Sequence, residues 1–142
     1  MTGAPEAAGA GLEPSMTEAQ GTHYRWDDIP HEQLSPTIGR RMISTDRVTV
    51  ARLYMEAGSE VPQHAHEHEQ IAMVVEGHMR LFIGANDEQV VDVAAGELVR
   101  VPPNVPHRAE MLETTLAMDV FCPPRQDWLA GDDSYLRAAG SR

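Results

Sequence analysis

The sequence predicts an all-β domain, either a sandwich or a barrel of short strands. Short runs rich in β-branched residues recur between residues 38 and 121, and turns containing Gly and Pro separate them. Almost no stretch has the apolar spacing of an amphipathic helix. The chain of 142 residues is long enough for one domain with its own core.

The strand pattern covers eight segments: 38–44, 48–56, 70–76, 79–83, 89–93, 97–101, 107–112 and 115–121. The GAND sequence at 84–87 favours a hairpin turn. Three prolines make 102–106 a loop, because proline cannot donate to a strand ladder. After the last strand, Asp127 is expected to cap a short helix at 128–129, and 134–139 is expected to form another.

The N-terminal region divides into two parts. Residues 1–21 are rich in Ala, Gly, Pro and Glu, which predicts a disordered tail, so that residues 22–142 form the domain. Residues 22–36 mix aromatic and apolar residues with charged residues and prolines, which indicates an arm that packs on a protein surface. That arm could cross to a second subunit.

Composition excludes several classes of protein. A net charge of −11 argues against nucleic-acid binding, which needs a basic surface. The single Cys122 allows no internal disulfide and suits the cytoplasm. No apolar run approaches the roughly 20 residues of a membrane span, and the N-terminus lacks the features of a signal peptide.

The most informative stretch is GSEVPQHAHEHEQIAMVVEG at 58–77. His64 and His66 alternate in an extended segment, so their side chains point the same way. Gln70 follows four residues later, and His107 comes after the Pro-rich loop. Imidazole and amide groups on one wall favour a divalent metal ion. The expected ion is zinc, with manganese, iron and nickel as alternatives.

These residues resemble the two motifs of the cupins, small jelly-roll β-barrels. The first motif, Gly-x5-His-x-His-x3-4-Glu-x6-Gly, is matched by Gly58, His64, His66 and Gly77, with Gln70 in place of Glu. The second, Gly-x5-Pro-x-Gly-x2-His-x3-Asn, is matched by Gly96, Pro102 and His107, with Asn104 and Met111 as departures. The resemblance implies a cupin jelly-roll barrel with an N-terminal arm and a short C-terminal helix. Because cupins of this kind are commonly dimers, it also implies a homodimer.

A narrower resemblance concerns HAHEHEQ, VPPNVPH and DVFCPPRQDW. They are similar to single-domain cupins whose metal has three His ligands and one Gln. That subgroup includes enzymes that ketonise unsaturated uronates in pectin breakdown, and the chain also resembles monocupin cyclases of aromatic polyketides, of the resistomycin type. In the uronate enzymes an Asp, a Phe and an Arg line the pocket, which implies those roles for Asp119, Phe121 and Arg125.

Four neutral ligands leave the ion its full charge, which polarises a carbonyl and lowers the pKa of a bound water. Gln70 cannot take a proton, so we expect Asp119 or a metal-bound hydroxide to act as the base. Asp119 could instead form a structural ion pair with Arg52 or Arg125. His68 and Glu69 are candidates for orienting a ligand histidine.

Strand alternation predicts an apolar, roomy cavity. Its expected walls include Ala72, Met111 and Phe121, with Arg52 and Arg125 as the cationic groups. Such a cavity suits a large apolar polyketone better than a polar sugar acid. The sequence therefore favours a metal-dependent polyketide cyclase of antibiotic biosynthesis, acting by aldol-type ring closure. Ketonisation of an unsaturated sugar acid is the first alternative; a small-molecule-binding cupin without catalysis, and a dioxygenase, are the others.

Overall fold

The computed structural model describes residues 20–139, so the predicted tail lies outside the described residues except for its last two positions. It contains ten strands and two short helices, with a 3-10 turn at Trp26–Asp28. The strands are β1 (Glu32–Ser35), β2 (Ile38–Ser44), β3 (Thr49–Met55), β4 (Glu60–His64), β5 (Glu69–Glu76), β6 (His78–Ile83), β7 (Gln89–Ala94), β8 (Leu98–Val101), β9 (His107–Met111) and β10 (Thr115–Cys122). The helices are α1 (Gln126–Leu129) and α2 (Ser134–Ala139).

Two antiparallel sheets enclose the core. One has six strands in the order β1-β2-β3-β10-β5-β8, and the other has four in the order β4-β9-β6-β7. Burial alternates along β3, β6, β9 and β10, as expected when one face of each strand points inward. The inward side chains of both sheets form one apolar cluster. This is the all-β, jelly-roll architecture that the sequence predicts, and the prediction of fold class is confirmed.

All eight predicted segments form strands whose ends lie within one residue of the predicted ends. The sequence analysis missed β1 and β4. Strand β4 contains Pro62, and its pairing with β9 is irregular between Val61 and His64. Strand β1 is short and also has an irregular register. Both lack the regular alternation on which the sequence-based prediction depends.

The N-terminal arm packs against its own chain. Arg41 donates to the carbonyl oxygens of Trp26 and Ile29 at 3.1 and 2.6 Å. The guanidinium of Arg52 lies 5.0 Å from the centre of the Trp26 ring. The arm therefore covers the outer face of the six-stranded sheet, and the homodimer stays a prediction.

The C-terminal segment folds back over one end of the barrel. Its main anchor is Asp133, a buried residue that lies 3.0 Å from buried Arg40 of β2. The predicted helix at 134–139 is present. The prediction that Asp127 caps a helix is wrong, because Asp127 lies inside α1 and accepts hydrogen bonds from Arg125. No helix among residues 20–139 is long and apolar enough to cross a membrane.

Candidate metal centre

Three histidines converge at the end of the barrel that the C-terminal segment covers. The antiparallel pairing of β4 with β9 places His64 opposite His107, with ring centres 4.2 Å apart. His66 lies just beyond β4, with its ring centre 5.0 Å from that of His107. One ring nitrogen from each histidine lies within 4.8 Å of the other two. The three side chains thus form a cluster of the size that a single metal ion requires.

The Pro-rich loop between β8 and β9 holds this arrangement. The main-chain N–H of Asn104 donates to the carbonyl of His66 at 2.8 Å, which ties the loop to the histidine segment. Asn104 has a φ of +63°, in the left-handed region, where the cupin motif has Gly. Asn is among the few non-Gly residues that adopt this conformation readily. The departure from the motif at this position is therefore compatible with the cupin backbone.

Main-chain carbonyls orient all three imidazoles in the same way. The Nδ1 atoms of His64, His66 and His107 lie 2.8, 3.2 and 2.8 Å from the carbonyl oxygens of Pro62, His68 and Val105. Such contacts place the proton on Nδ1 and leave Nε2 with a free lone pair. The Nε2 atoms of His66 and His107 are buried and have no hydrogen-bond partner among the described residues.

Gln70 is the fourth candidate ligand, and it lines the same cavity as His64 and His107. Its Nε2 donates to Oδ2 of Asp119 at 3.3 Å. That bond turns Oε1 away from the carboxylate, and Oε1 is buried without a partner in the described part of the chain. A buried polar atom without a partner is unfavourable unless a ligand satisfies it. The unpartnered nitrogens and this oxygen are a donor set that suits a divalent metal ion.

Lowered pKa values keep the three histidines neutral. Burial lowers the pKa of His64 to about 3, with a smaller contribution from His107. Burial and the charge of Arg125 lower the pKa of His66 to about 4. Burial also lowers the pKa of His107. All three therefore have free lone pairs at neutral pH, as metal binding requires.

Asp119 lies beside this donor set on β10, paired across the sheet with Ala72 of β5. It is 5% exposed. Burial raises its pKa to about 7, although Arg125 and the hydrogen bond from Gln70 act in the opposite direction. Within residues 20–139 it forms no ion pair with Arg52 or Arg125, and Arg125 pairs with Asp127 instead. The structure thus gives no support to Asp119 as a structural ion-pair residue.

The site opens into a cavity of about 60 Å³ between the sheets. Four of the five predicted pocket residues line it: Ala72, Met111, Phe121 and Arg125. The fifth, Arg52, requires a correction, because its side chain leaves the opposite face of β3 and covers Trp26. The prediction of a roomy cavity is also wrong, since ordinary small-molecule pockets have roughly 300–1,000 Å³.

Glu69 also lies away from the histidines, since it pairs with Arg100 and is nearly half exposed. His68 contributes its main-chain carbonyl to His66, while its own ring is buried near the carbonyl of Pro124. The sequence analysis missed Tyr135 and Leu136, which both line the cavity. They are far from the two motifs in the sequence, and only the fold-back of the C-terminal segment brings them near.

Comparison with known families identifies the fold class. The model of the cupin domain family matches residues 51–122, which include all four candidate ligands. The chain therefore belongs to the cupin family, and that resemblance is confirmed. The sequence matches no curated protein closely enough to count as a relative.

Solved structures agree with this assignment. KdgF from Halomonas sp. is 24% identical with a TM-score of 0.69, over 75% of this chain and 99% of that one. An RmlC-like cupin from Shewanella frigidimarina is 26% identical with a TM-score of 0.68, over 77% and 97%. Oxalate decarboxylase from Lactobacillus farciminis is 18% identical with a TM-score of 0.62, over 78% of this chain and 39% of its own. At such identities the Halomonas and Lactobacillus structures show the shared fold alone.

Proposed function

We propose that this cupin is a metal-dependent enzyme that ketonises an unsaturated sugar acid, converting an enol into its ketone. The observation that carries the proposal is a buried arginine in the metal cavity. Arg125 is 1% exposed and lines the same cavity as His64, His107 and Asp119. A buried guanidinium in a ligand cavity suits an anionic group, and a sugar acid provides a carboxylate.

Ketonisation also requires polarisation of the reacting oxygen of the substrate, and the candidate metal site can provide it. His64, His66, Gln70 and His107 would hold a divalent ion, which would supply the positive charge that polarises an enol or carbonyl oxygen of the substrate. Zinc is our first choice, because this reaction transfers no electrons and zinc is not redox active. Since all four side chains are neutral, none of them reduces the charge that acts on the substrate.

Asp119 is the proposed proton carrier. Ketonisation moves one proton from oxygen to carbon, so no atom or electron is gained or lost overall. A carboxyl group with a pKa of about 7 is present in both protonation states near neutral pH. It can therefore accept the hydroxyl proton and deliver a proton to carbon, as an efficient acid–base catalyst must. Its hydrogen bond from Gln70 keeps it beside the metal site.

The polyketide cyclase predicted from the sequence is our second candidate. It is supported by the apolar part of the cavity wall, which includes Leu53, Met79, Leu81 and Met111. Two observations favour the sugar acid instead. The cavity is small, so a long polyketone would need a much larger displacement of the walls. The cavity also contains an arginine and a tyrosine, which are polar groups suited to a sugar acid.

The test is turnover of both substrate classes by the zinc-loaded protein. Loss of the ultraviolet absorbance of an unsaturated uronate reports ketonisation, and chromatography reports cyclisation of a poly-β-ketone. We expect the uronate to be consumed and the activity to disappear after chelation. Cyclisation of the polyketone without turnover of the uronate would replace the proposal with the cyclase. Full activity after exhaustive chelation would remove the metal from either reaction.

A further inference from the structure

Tyr135 contacts the metal site from outside the barrel. It belongs to α2, and its ring stacks on His64 with centres 4.3 Å apart and planes inclined by 26°. With Leu136 it lines the cavity that contains the histidines and Asp119. No motif in the sequence points to it. It is, however, an aromatic residue in direct contact with a candidate metal ligand.

The hydroxyl of Tyr135 accepts two hydrogen bonds. Nη2 of Arg125 and Nε1 of Trp128 each lie 3.1 Å from its oxygen. Guanidinium and indole nitrogens can only donate, so the phenol oxygen is the acceptor in both bonds. The hydroxyl proton then has no acceptor in the part of the chain that the structure describes. It remains available to a ligand oxygen.

The same contacts fix the orientation of Arg125. Asp127 binds Nε and Nη2 at 3.0 and 2.8 Å, and the guanidinium stacks 4.1 Å from the ring centre of Trp128. Nη1 is buried and has no partner among the described residues. A buried charged donor without a partner is unfavourable, so we expect an anionic acceptor of the ligand beside this nitrogen. Tyr135 thus holds one edge of the guanidinium while the other edge stays free.

The position of Tyr135 does not depend on these bonds alone. Asp133, two residues earlier, pairs with Arg40 at 3.0 Å and with Arg137 at 2.8 Å. Leu136 is 3% exposed and belongs to the core. Removal of only the hydroxyl of Tyr135 therefore leaves α2 anchored.

We propose that Tyr135 is a specificity-determining residue, which positions Arg125 and offers its own hydroxyl proton to the same carboxylate of the ligand. The inference rests on the proposed function in one respect, namely that the ligand is a carboxylate. It adds a second donor to the anion site and makes α2 part of the recognition surface.

The test compares Tyr135→Phe with the unaltered residue in a Trp26→Phe background, where Trp128 is the only tryptophan. The probe is glucuronate, a saturated uronate that cannot be ketonised, added to zinc-loaded protein while Trp128 fluorescence is recorded. Loss of a hydrogen bond to a charged group should raise the Kd about tenfold to a hundredfold. Zinc content should not change. Tyr54→Phe, on the outer face of β3, is the matched control and should bind as the parent does.

A neutral probe separates recognition from structure. The methyl ester of glucuronate should bind weakly and equally to the Tyr135→Phe variant and its parent. Equal glucuronate affinity in the two proteins would overturn the inference. An equal loss of affinity for the acid and for the ester would also overturn it, and so would a parent protein that does not bind the acid. With unsaturated uronate, the variant should show a raised KM and little change in kcat. Tight, Tyr135-dependent binding of glucuronate without turnover would refute the proposed function and leave this inference standing.

Discussion

The barrel wall and the C-terminal segment contribute to the same cavity but are held in place differently. In the wall, strand pairing places His64 opposite His107. The ring of each candidate ligand histidine is oriented by a main-chain carbonyl two residues away in the chain. The C-terminal segment depends on charged contacts between distant residues, above all Arg40 with Asp133. The rings of the candidate metal ligands are therefore oriented by carbonyls close to them in the chain, whereas the helix that carries Tyr135 is held by a long-range ion pair. Variants should separate the two regions.

The largest effect should follow loss of a metal ligand. His66→Ala removes one of three converging imidazoles, so metal affinity should fall by more than the roughly 10- to 100-fold seen for supporting residues around metal sites. Elemental analysis of the purified protein measures this directly, and activity should disappear with the metal. His78→Ala is the control, because His78 lies near Asp92 on the barrel exterior. Retention of metal by His66→Ala would contradict the assigned ligand set.

The second largest effect should follow loss of the proposed proton carrier, Asp119. Asp119→Asn keeps the shape of the side chain but cannot exchange a proton, so turnover should fall by about 10²- to 10⁴-fold. Metal content should stay the same, because the candidate ligands are other residues. Steady-state kinetics and elemental analysis on one preparation test both statements. Unchanged turnover would remove Asp119 from the mechanism.

A single substitution should destabilise the C-terminal segment without destabilising the barrel. Asp133→Asn removes the buried charge partner of Arg40 and leaves its guanidinium only the partly exposed Glu32, which should lower the free energy of unfolding by about 3 kcal/mol. Hydrogen exchange should rise first in α1 and α2, while metal content stays normal. Asp87→Asn is the control: its pair with Arg108 is partly exposed, and such pairs contribute roughly 0–1 kcal/mol. Exchange that rises equally in β4 and β9 would contradict the separation of the two regions.

The two regions should also differ in the pH range over which they lose stability. In the metal-free protein, His64 and His66 have lowered pKa values, about 3 and about 4. The unfolded chain takes up protons below about pH 6.5 while the folded site does not. The free energy of unfolding should therefore decrease as pH falls from about 6.5 towards 4.

The second pH range concerns Asp133. Burial acts to raise its pKa, but hydrogen bonds from Arg137 and Arg40 outweigh that effect and lower it. Its contribution is complete above the unfolded value of about 3.9 and is lost as pH falls below it. Protection of the α2 amides from hydrogen exchange should thus persist down to about pH 4. In the barrel, protection should begin to fall at a higher pH, about 6.5. Hydrogen exchange as a function of pH measures the loss of protection in both regions. Loss of protection at the same pH in the barrel and in α2 would contradict the difference between the two regions.

Several parts of the site were predictable because they are local. The alternation of His64 and His66 defines one face of an extended segment, and strand alternation places Ala72, Met111 and Asp119 on inward faces. Arg52 shows the limit of that argument. Its neighbours Ala51 and Leu53 point inward, so alternation itself places Arg52 outside, and its assignment to the pocket rested on charge alone.

The sequence by itself determined the cupin barrel, eight of the ten strands between residues 20 and 139, and the candidate metal donors. It could do so because strand periodicity and motif spacing depend on residues close together in the chain. The tertiary structure decided how large the cavity is, which arginine enters it and that Tyr135 stacks on His64. Those features depend on the fold-back of the C-terminal segment, fixed by a buried ion pair between residues 40 and 133. No local pattern encodes such a pairing, because its partners meet only after the sheets have formed.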